Sequence, residues 1–454
     1  MRKNFNPVNP SAEDSPLGVR KSALPRKIAA VIFALIAFGL GYFFYYLTLD
    51  DGLRSLLWFK NEIQNEYYDR ISDDEFWQAA IDGVENILDD YSCFYSAAEY
   101  DEVVNADRGI KVGTGLSFFS DSNKIYKVAI GSPAFYARSG QGESIEEGMY
   151  VTGVGAAAGE YTDTFDISAL EKALGRFETG DTVYLRLSKN SANGTQDCVE
   201  AALETAQYTE SFVLYATAED TYAVIYSNGT GTWERIGEGM EELNGQTAYI
   251  RLTQFYGNAV AEFSKAAEQY RADGMTVLLF DLRNNGGGSM NVLSGLASYL
   301  MKGAESGDVV AYTEGRHGRD SYKISGAYYD KYFSGSKIYV AANRNSASAS
   351  EALMGAMISS GTVGYEDIYL VTTDASDDAV ARTYGKGIMQ TTFYNFLTGE
   401  AVKLTTARVY WPDGTTCIHG RGIRSDEGAH KIYSPSNAEY GDPALSEILA
   451  DIDS

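Results

Sequence analysis

A chain of 454 residues is longer than one hydrophobic core usually serves, so two or three domains are expected, plus any tether. The formal net charge of -25 repels nucleic acid phosphates and anionic lipid headgroups, which argues against nucleic acid as a partner and against membrane binding by anything but an apolar anchor. Three cysteines (Cys93, Cys198, Cys417) and three histidines (His317, His419, His430) are too few and too scattered for a disulfide framework, a paired-cysteine zinc site or a multi-histidine centre. Neither a metal nor an organic cofactor is expected.

The uncharged apolar run 28–49 is long enough, as a helix, to cross a hydrocarbon core of about 30 Å. Arg2, Lys3, Arg20, Lys21, Arg26 and Lys27 precede it, and Asp50 and Asp51 follow. The positive-inside rule then predicts a single pass through the cell membrane, with the tail 1–27 cytoplasmic and everything after the span outside. A cleaved signal peptide fits less well, because the run is long and no small-x-small cleavage pattern follows it.

Next, 50–107 reads as a helical lead-in, with Ser72 and Glu75 spaced as a capping box ahead of Phe76, Ala80, Val84, Ile87 and Leu88. Residues 108–190 switch to short alternating strands, glycine-rich turns and one helix at 167–176, the pattern of a small β-rich domain. Residues 191–247 form a connection with some sheet of its own, a strand at 222–226 and a turn at 228–231. From 248 to 454, apolar strands at 249–255, 276–282 and 337–342 alternate with amphipathic helices at 258–271, 289–301 and 346–359, which predicts an α/β domain.

Three segments of that last region can carry chemistry. Residues 343–351 (NRNSASASE) lie between a strand and a helix, where a serine hydroxyl is exposed and free helix-start amides can stabilise a developing oxyanion. Ser346, Ser348 and Ser350 are all open on this ground, and Ser348 with Glu351 also has capping-box spacing. Residues 280–288 (FDLRNNGGG) follow an apolar strand; three glycines let backbone approach a ligand closely, and no Lys-Ser or Lys-Thr pair follows as a phosphate loop requires. In 385–390 (GKGIMQ), Lys386 and Gln390 share a face in either a strand or a helix. A lysine serves as a base near neutrality only when burial lowers its pKa from about 10.4.

These segments occur in order with 248–255 (AYIRLTQF), 345–354 (NSASASEALM) and 403–412 (KLTTARVYWP), and together they resemble the C-terminal processing peptidases, a family of Ser-Lys serine peptidases. Ile87 to Ser92 is similar to that family's opening motif, and Gly422 to Asp426 to its closing one. The resemblance implies a crotonase-like α/β peptidase domain with Ser348 as nucleophile, Lys386 as general base and Gln390 orienting it. It implies an oxyanion hole from the amides of Gly286, Gly287 and Ala349.

The module 108–190 resembles a PDZ domain, inserted ahead of the peptidase domain. Gly113, Thr114, Gly115, Leu116, Ser117 and Phe118 then stand where such a domain binds a terminal carboxylate, and GSPA at 131–134 also fits. The interval from Ser348 to Lys386 is longer than the family pattern, and the acidic stretch 374–378 is expected to be looped out. Asp89 to Ser92 lacks the family's proline, and Ser359 stands where some members carry an acidic partner.

The implied protein is a membrane-anchored endopeptidase for extracytoplasmic proteins or peptides with a free C-terminus. One alternative keeps the fold as a catalytically degenerate peptide-binding scaffold. The other is a hydrolase pairing Ser348 with His419 or His430. The sequence fixes no oligomeric state.

Overall fold

The structure, a computed structural model, describes residues 24–196, 198–376, 379–434 and 442–453. The expected cytoplasmic tail up to position 23, and Asp377 and Asp378 of the acidic stretch, lie outside the described residues. The chain divides into two compact units, 1–87 and 88–454.

In the first unit, helix α1 (Leu24–Thr48) is followed by α2 (Asp51–Glu66) and α3 (Asp73–Glu85). Within α1, Ile28–Thr48 is the one described helix long and apolar enough to cross a membrane. Asp50 stops it and caps α2 by accepting the Gly52 amide at 2.7 Å. Ser72 and Glu75 form the capping box that the spacing predicts, each side chain taking the other's amide at the start of α3.

The second unit opens with β1 (Cys93–Tyr95), α4 (Ala97–Asp107) and β2 (Ile110–Gly113). A small β module follows, with β3 (Leu116–Phe118), β4 (Ile125–Val128), α5 (Pro133–Tyr136), β5 (Tyr150–Ala157), β6 (Glu160–Asp163), α6 (Ile167–Leu174), β7 (Thr182–Ser188) and β8 (Val199–Glu204). β3 pairs with β4, and β6, β5, β7 and β8 form an antiparallel sheet in that order. Val183, Leu185 and Leu187 on β7 face Val199, Ala201 and Leu203 on β8, the period of two that buries one face against Leu170 of α6. Because β8 belongs to this sheet, the module's core runs past position 190. β9 (Ala206–Thr209) then returns beside β2.

The α/β part contains β10 (Val213–Ala216), β11 (Asp220–Ser227), β12 (Thr230–Glu238), β13 (Thr247–Leu252), α7 (Ala259–Ala272), β14 (Val277–Asp281), α8 (Met290–Leu300), β15 (Val309–Gly315), β16 (Gly318–Lys323), α9 (Tyr329–Tyr332), β17 (Lys337–Asn343), α10 (Ala349–Ser359), β18 (Ile368–Thr372), β19 (Ile388–Tyr394), β20 (Ala401–Tyr410), β21 (His430–Tyr433) and α11 (Pro443–Ile452). Its main sheet runs β12-β11-β10-β13-β14-β17-β18-β21, antiparallel as far as β13 and parallel beyond it. Both faces are covered. Ile250, Leu278, Phe280, Val340 and Leu370 pack in one core with Phe263 of α7, Leu296 of α8 and Leu353 of α10. The alternate residues Tyr249, Leu279, Ala341 and Tyr369 pack in another with Leu445 and Ile448 of α11. Strands buried on both faces read as continuous apolar runs, which is why the sequence reveals them. A second sheet has the order β1-β20-β15-β16, with β19 also paired to β20. The loops after β14 and β17 meet the start of β19 near the carboxyl ends of the parallel strands.

Candidate active site

Between β17 and α10 the chain turns sharply at Ser348, whose φ of 57° and ψ of −114° are unusual for a residue with a Cβ. Such backbone strain costs about 1–3 kcal/mol and persists only where neighbours enforce it. They do so here. Ser346 Oγ donates to Leu282 O at 2.8 Å and accepts the Asn343 amide at 2.9 Å, while Ser350 Oγ donates to Asn285 O at 2.9 Å. Ser346 and Ser350 are both fully buried, their hydroxyls committed to backbone. Ser348 is half-buried and its hydroxyl makes no capping bond; only the reverse half of the capping box forms, from the Ser348 amide to Glu351 at 3.0 Å. The three serines that the sequence leaves equivalent are therefore physically distinct.

The glycine turn after β14 lies against this elbow. Asn285, fully buried, donates from Nδ2 to Leu252 O at 2.8 Å and accepts the Gly287 amide at 2.9 Å. A Cβ at Gly287, whose φ is 96°, would sit 2.8 Å from Ala347 O and Ala349 N and 2.9 Å from Ser348 Cβ, so only glycine allows this approach. Gly286 is exposed beside it, and Ala349 opens α10, where a first-turn amide has no helical acceptor. Gly287 and Ala349 thus lie against Ser348, with the Gly287 N–H donated to Asn285, and Gly286 is the exposed residue before them in the turn. Arg283 braces the turn with paired bonds to Asp281 and to Asp442, which caps α11. Burial opposes the charge on Asp281, but the Arg283 guanidinium wins and holds its carboxyl below the usual range.

Glu351 joins this elbow to the lysine. It has no exposure, and its carboxylate accepts the Thr383 hydroxyl at 2.5 Å and the amides of Gly385, Lys386 and Ser348 at 2.8, 2.9 and 3.0 Å. Burial raises its pKa, against the four donors. The Tyr384 amide adds a bond to Ser346 O at 3.0 Å. The peptides of Ser348 and Lys386 therefore lie on one carboxylate oxygen, despite the long interval between them. Residues 373–376 of the acidic stretch are exposed.

The Lys386 amine lies 4.4 Å from the centre of the Tyr91 ring, and the Tyr91 hydroxyl meets that of Tyr384 at 2.9 Å. That bond pushes the Tyr91 pKa up to about 12. Burial, then the charge of Lys403, lower the pKa of Lys386, with Asp89 opposing. Among the described residues no hydrogen bond joins Lys386 Nζ to Ser348 Oγ, and the amine lies over the Tyr91 ring. Gln390 Nε2 donates to Thr405 Oγ1 at 3.1 Å, on the neighbouring strand.

His430 lies on β21, beyond β18 from the serine elbow, stacked on Tyr369 with Nε2 against Glu366 O at 3.0 Å. The backbone of His419 borders Gly387. Among the described residues no cluster of three His, Cys, Asp or Glu could hold a metal ion.

In the small β module, Gly113 and Gly115 take φ of 126° and 85°, and a Cβ on Gly115 would collide with the Ser132 side chain. Ala134 N and Ala129 N donate to Thr114 O and Gly115 O, tying the turn to 129–134. Leu116 and Phe118 on β3 are half-buried over the module's core, as are Ile167 and Leu174 of α6, and Ser117 lies between. Glu351, Thr383 and Tyr91 border this candidate site, and sequence reasoning did not single them out for it. Glu351 was visible only as a cap.

Residues 246–364 match peptidase family S41. The chain is 31% identical over 196 residues to a chloroplastic C-terminal processing peptidase of Tetradesmus obliquus, covering 43% of this chain and 37% of that protein. It is 31% identical over 201 residues to a carboxyl-terminal-processing protease of Synechocystis sp., covering 42% of each. The chain thus spans about two fifths of the length of these relatives. A solved structure of a candidate S41 protease from Bacteroides fragilis superimposes with a TM-score of 0.52 at 14% identity, covering 87% of this chain and 97% of that one. The chain thus shares the fold of that solved structure, and within it residues 246–364 carry the pattern of peptidase family S41.

Proposed function

We propose that this protein is a membrane-anchored serine endopeptidase in which Ser348 is the nucleophile and Lys386 the general base, acting on extracytoplasmic proteins or peptides engaged by their C-terminal tails. The observation that carries this reading is the Glu351 carboxylate, which takes the amides of both Ser348 and Lys386 and so holds nucleophile and base segments together. The half-buried, pKa-lowered lysine supports it, since a base needs a free lone pair near working pH.

In the first step Lys386 Nζ removes the Ser348 Oγ proton as the oxygen attacks the scissile carbonyl. The resulting oxyanion is read as facing the amides of Gly286 and Ala349 and, once its bond to Asn285 is released, that of Gly287; one lost donor of this kind costs on the order of 10² to 10³ in rate. Collapse breaks the C–N bond, and the ammonium returns its proton to the leaving amine. Lys386 then takes a proton from water as the water attacks the acyl-serine, and returns it to Ser348 Oγ as the ester C–O bond breaks, releasing the acid product and restoring the dyad. Gln390 completes the face that orients the lysine, through Thr405.

The small β module is read as a PDZ-type domain, its 113–118 turn offering amides to a substrate's terminal carboxylate and its half-buried Leu116 and Phe118 meeting the apolar tail. Helix α1 is read as the anchor that keeps this unit outside the cell membrane.

The full-length protein in detergent is expected to cleave an unstructured polypeptide, with Ser348→Ala and Lys386→Ala inactive and His419→Ala and His430→Ala active. Activity retained in Lys386→Ala would rule out the dyad. A wild type that binds C-terminal peptides without ever cleaving them would establish a scaffold instead.

A further inference from the structure

We propose that Tyr91 is a positioning residue for the base: its ring face receives the ammonium that Lys386 becomes on removing the Ser348 proton, the task a carboxylate performs where a third group orients the base. The inference rests on the reading of Lys386 as general base and names the group that steadies its charged form.

A lysine base turns into a cation in each half of the reaction, and a half-buried cation needs a partner. Among the described residues no carboxylate is paired with Lys386 Nζ. Asp89 and Asp90 are exposed, and Asp89 Oδ1 is taken by the Ser92 hydroxyl at 2.8 Å and the Tyr91 amide at 3.1 Å. Glu351 is occupied by the Thr383 hydroxyl and the amides of Ser348, Gly385 and Lys386. Gln390 sends its Nε2 to Thr405. What does meet the amine is Tyr91, with Nζ over the ring and 4.4 Å from its centre. That is well inside the distance of about 6 Å at which an aromatic face attracts a cation.

The ring is pinned from both sides. Its hydroxyl meets that of Tyr384 at 2.9 Å, and the Tyr384 amide, two residues before Lys386, donates to Ser346 O in the serine elbow at 3.0 Å. Behind the ring, Ser92 Oγ accepts the Thr405 amide at 2.9 Å from β20, the partner of the strand that follows the lysine. The turn 89–92 is thereby tied to the elbow and to the base segment, although Tyr91 and Tyr384 are 293 positions apart. Besides Tyr384, the charged groups whose fields reach the ring or the amine are Asp89 and Asp90 on the turn and Lys403 on β20. A ring face has an advantage over a carboxylate here. It attracts the ammonium weakly enough that the neutral amine, the form that acts as base, remains accessible.

The test is the pH dependence of kcat and kcat/KM for polypeptide cleavage by the full-length protein. Tyr91→Phe keeps the ring and should leave the acid limb in place. Tyr91→Leu removes it, so the ammonium loses its partner: the acid limb is expected to move to lower pH by about one unit while the plateau kcat falls about tenfold. Pentafluorophenylalanine in place of Tyr91 has nearly the shape of phenylalanine with the charge of the ring face reversed, and should reproduce the leucine result. Coincident limbs in the phenylalanine and pentafluorophenylalanine proteins overturn the inference whatever becomes of Tyr91→Leu, while an inactive Lys386→Ala leaves the dyad standing. An active Lys386→Ala overturns both.

Discussion

The glycine turn at 281–288 and the glycine turn at 113–118 are alike in composition and differ in what surrounds them. The first is stitched to the serine elbow by Asn285, Ser346 and Ser350, polar side chains with no exposure, and by Glu351 behind them. The second is held by backbone bonds to 129 and 134 and by one close contact, Gly115 against Ser132, with half-buried apolar residues beside it. A buried polar side chain is tolerated only when its bonds are satisfied, and once satisfied it fixes geometry. The nucleophilic role proposed for the strained Ser348 calls for that rigidity. The peptide-tail groove proposed at the second turn must instead leave apolar surface and amides open.

Glu351 gives the largest expected break in this contrast. Glu351→Ala removes the acceptor of four donors and should lower kcat by about 10² or more and stability by about 3 kcal/mol, with KM little changed. Glu351→Gln, which turns an N–H toward amides that need an acceptor, should fall between alanine and wild type. A kcat within twofold of wild type in the alanine variant would mean that the clamp does not position the dyad.

Glu262 extends the contrast to the joint between the two regions. Its carboxylate, almost unexposed, accepts the Phe212 and Val213 amides at 2.6 and 3.1 Å, the Ser211 hydroxyl at 3.2 Å and the Tyr226 hydroxyl at 2.7 Å. Burial outweighs these donors and raises its pKa to about 7. The folded state therefore binds this proton more tightly than the unfolded chain, so the associated stability is complete below about pH 4.3 and is lost as pH rises through about 7. Its size is on the order of 3–4 kcal/mol. Tm should fall between pH 5 and 8, and Glu262→Gln should remove that part of the slope; an unchanged slope would assign it elsewhere.

What could be read beforehand follows the same division. The doubly covered strands β13, β14 and β17 announce themselves as apolar runs, and the Ser72 and Glu75 box announces α3, because those signals are local. The expected capping box at Ser348 forms only in part, because long-range bonds from Leu282 and Asn285 hold the elbow in a strained form that no local pattern encodes. Glu351 meeting 383–386 is a contact across a long loop, and the pairing of β20 with both β1 and β19 is equally distant in sequence. The small module's last strand, β8, lay beyond position 190 for a related reason: its partner β7 is separated from it by a polar loop.

A smaller effect is expected at the second glycine turn. Gly115→Ala places a Cβ on the Ser132 side chain at a backbone φ of 85°, so the turn must shift. If that turn receives substrate tails, KM for a polypeptide should rise about tenfold, worth about 1.4 kcal/mol. The rate of labelling of Ser348 by a small serine-directed phosphonate should stay as it is. Equal losses in both would show that the two turns are mechanically one.

The smallest effect belongs to the loop that lengthens the path from Ser348 to Lys386. Its two ends are anchored without it: Thr372 closes β18 opposite Tyr433, and Ala381 exchanges bonds with Ser425 through its amide and carbonyl. Beyond Ala381, Thr383, Gly385 and Lys386 are held by Glu351. Replacing 374–379 with a three-residue turn should therefore shift stability by only a few tenths of a kcal/mol, the logarithmic dependence of loop closure, and leave kcat within about twofold. Loss as large as that of Glu351→Ala would show that the long excursion, and not the buried carboxylate, sets where the lysine stands.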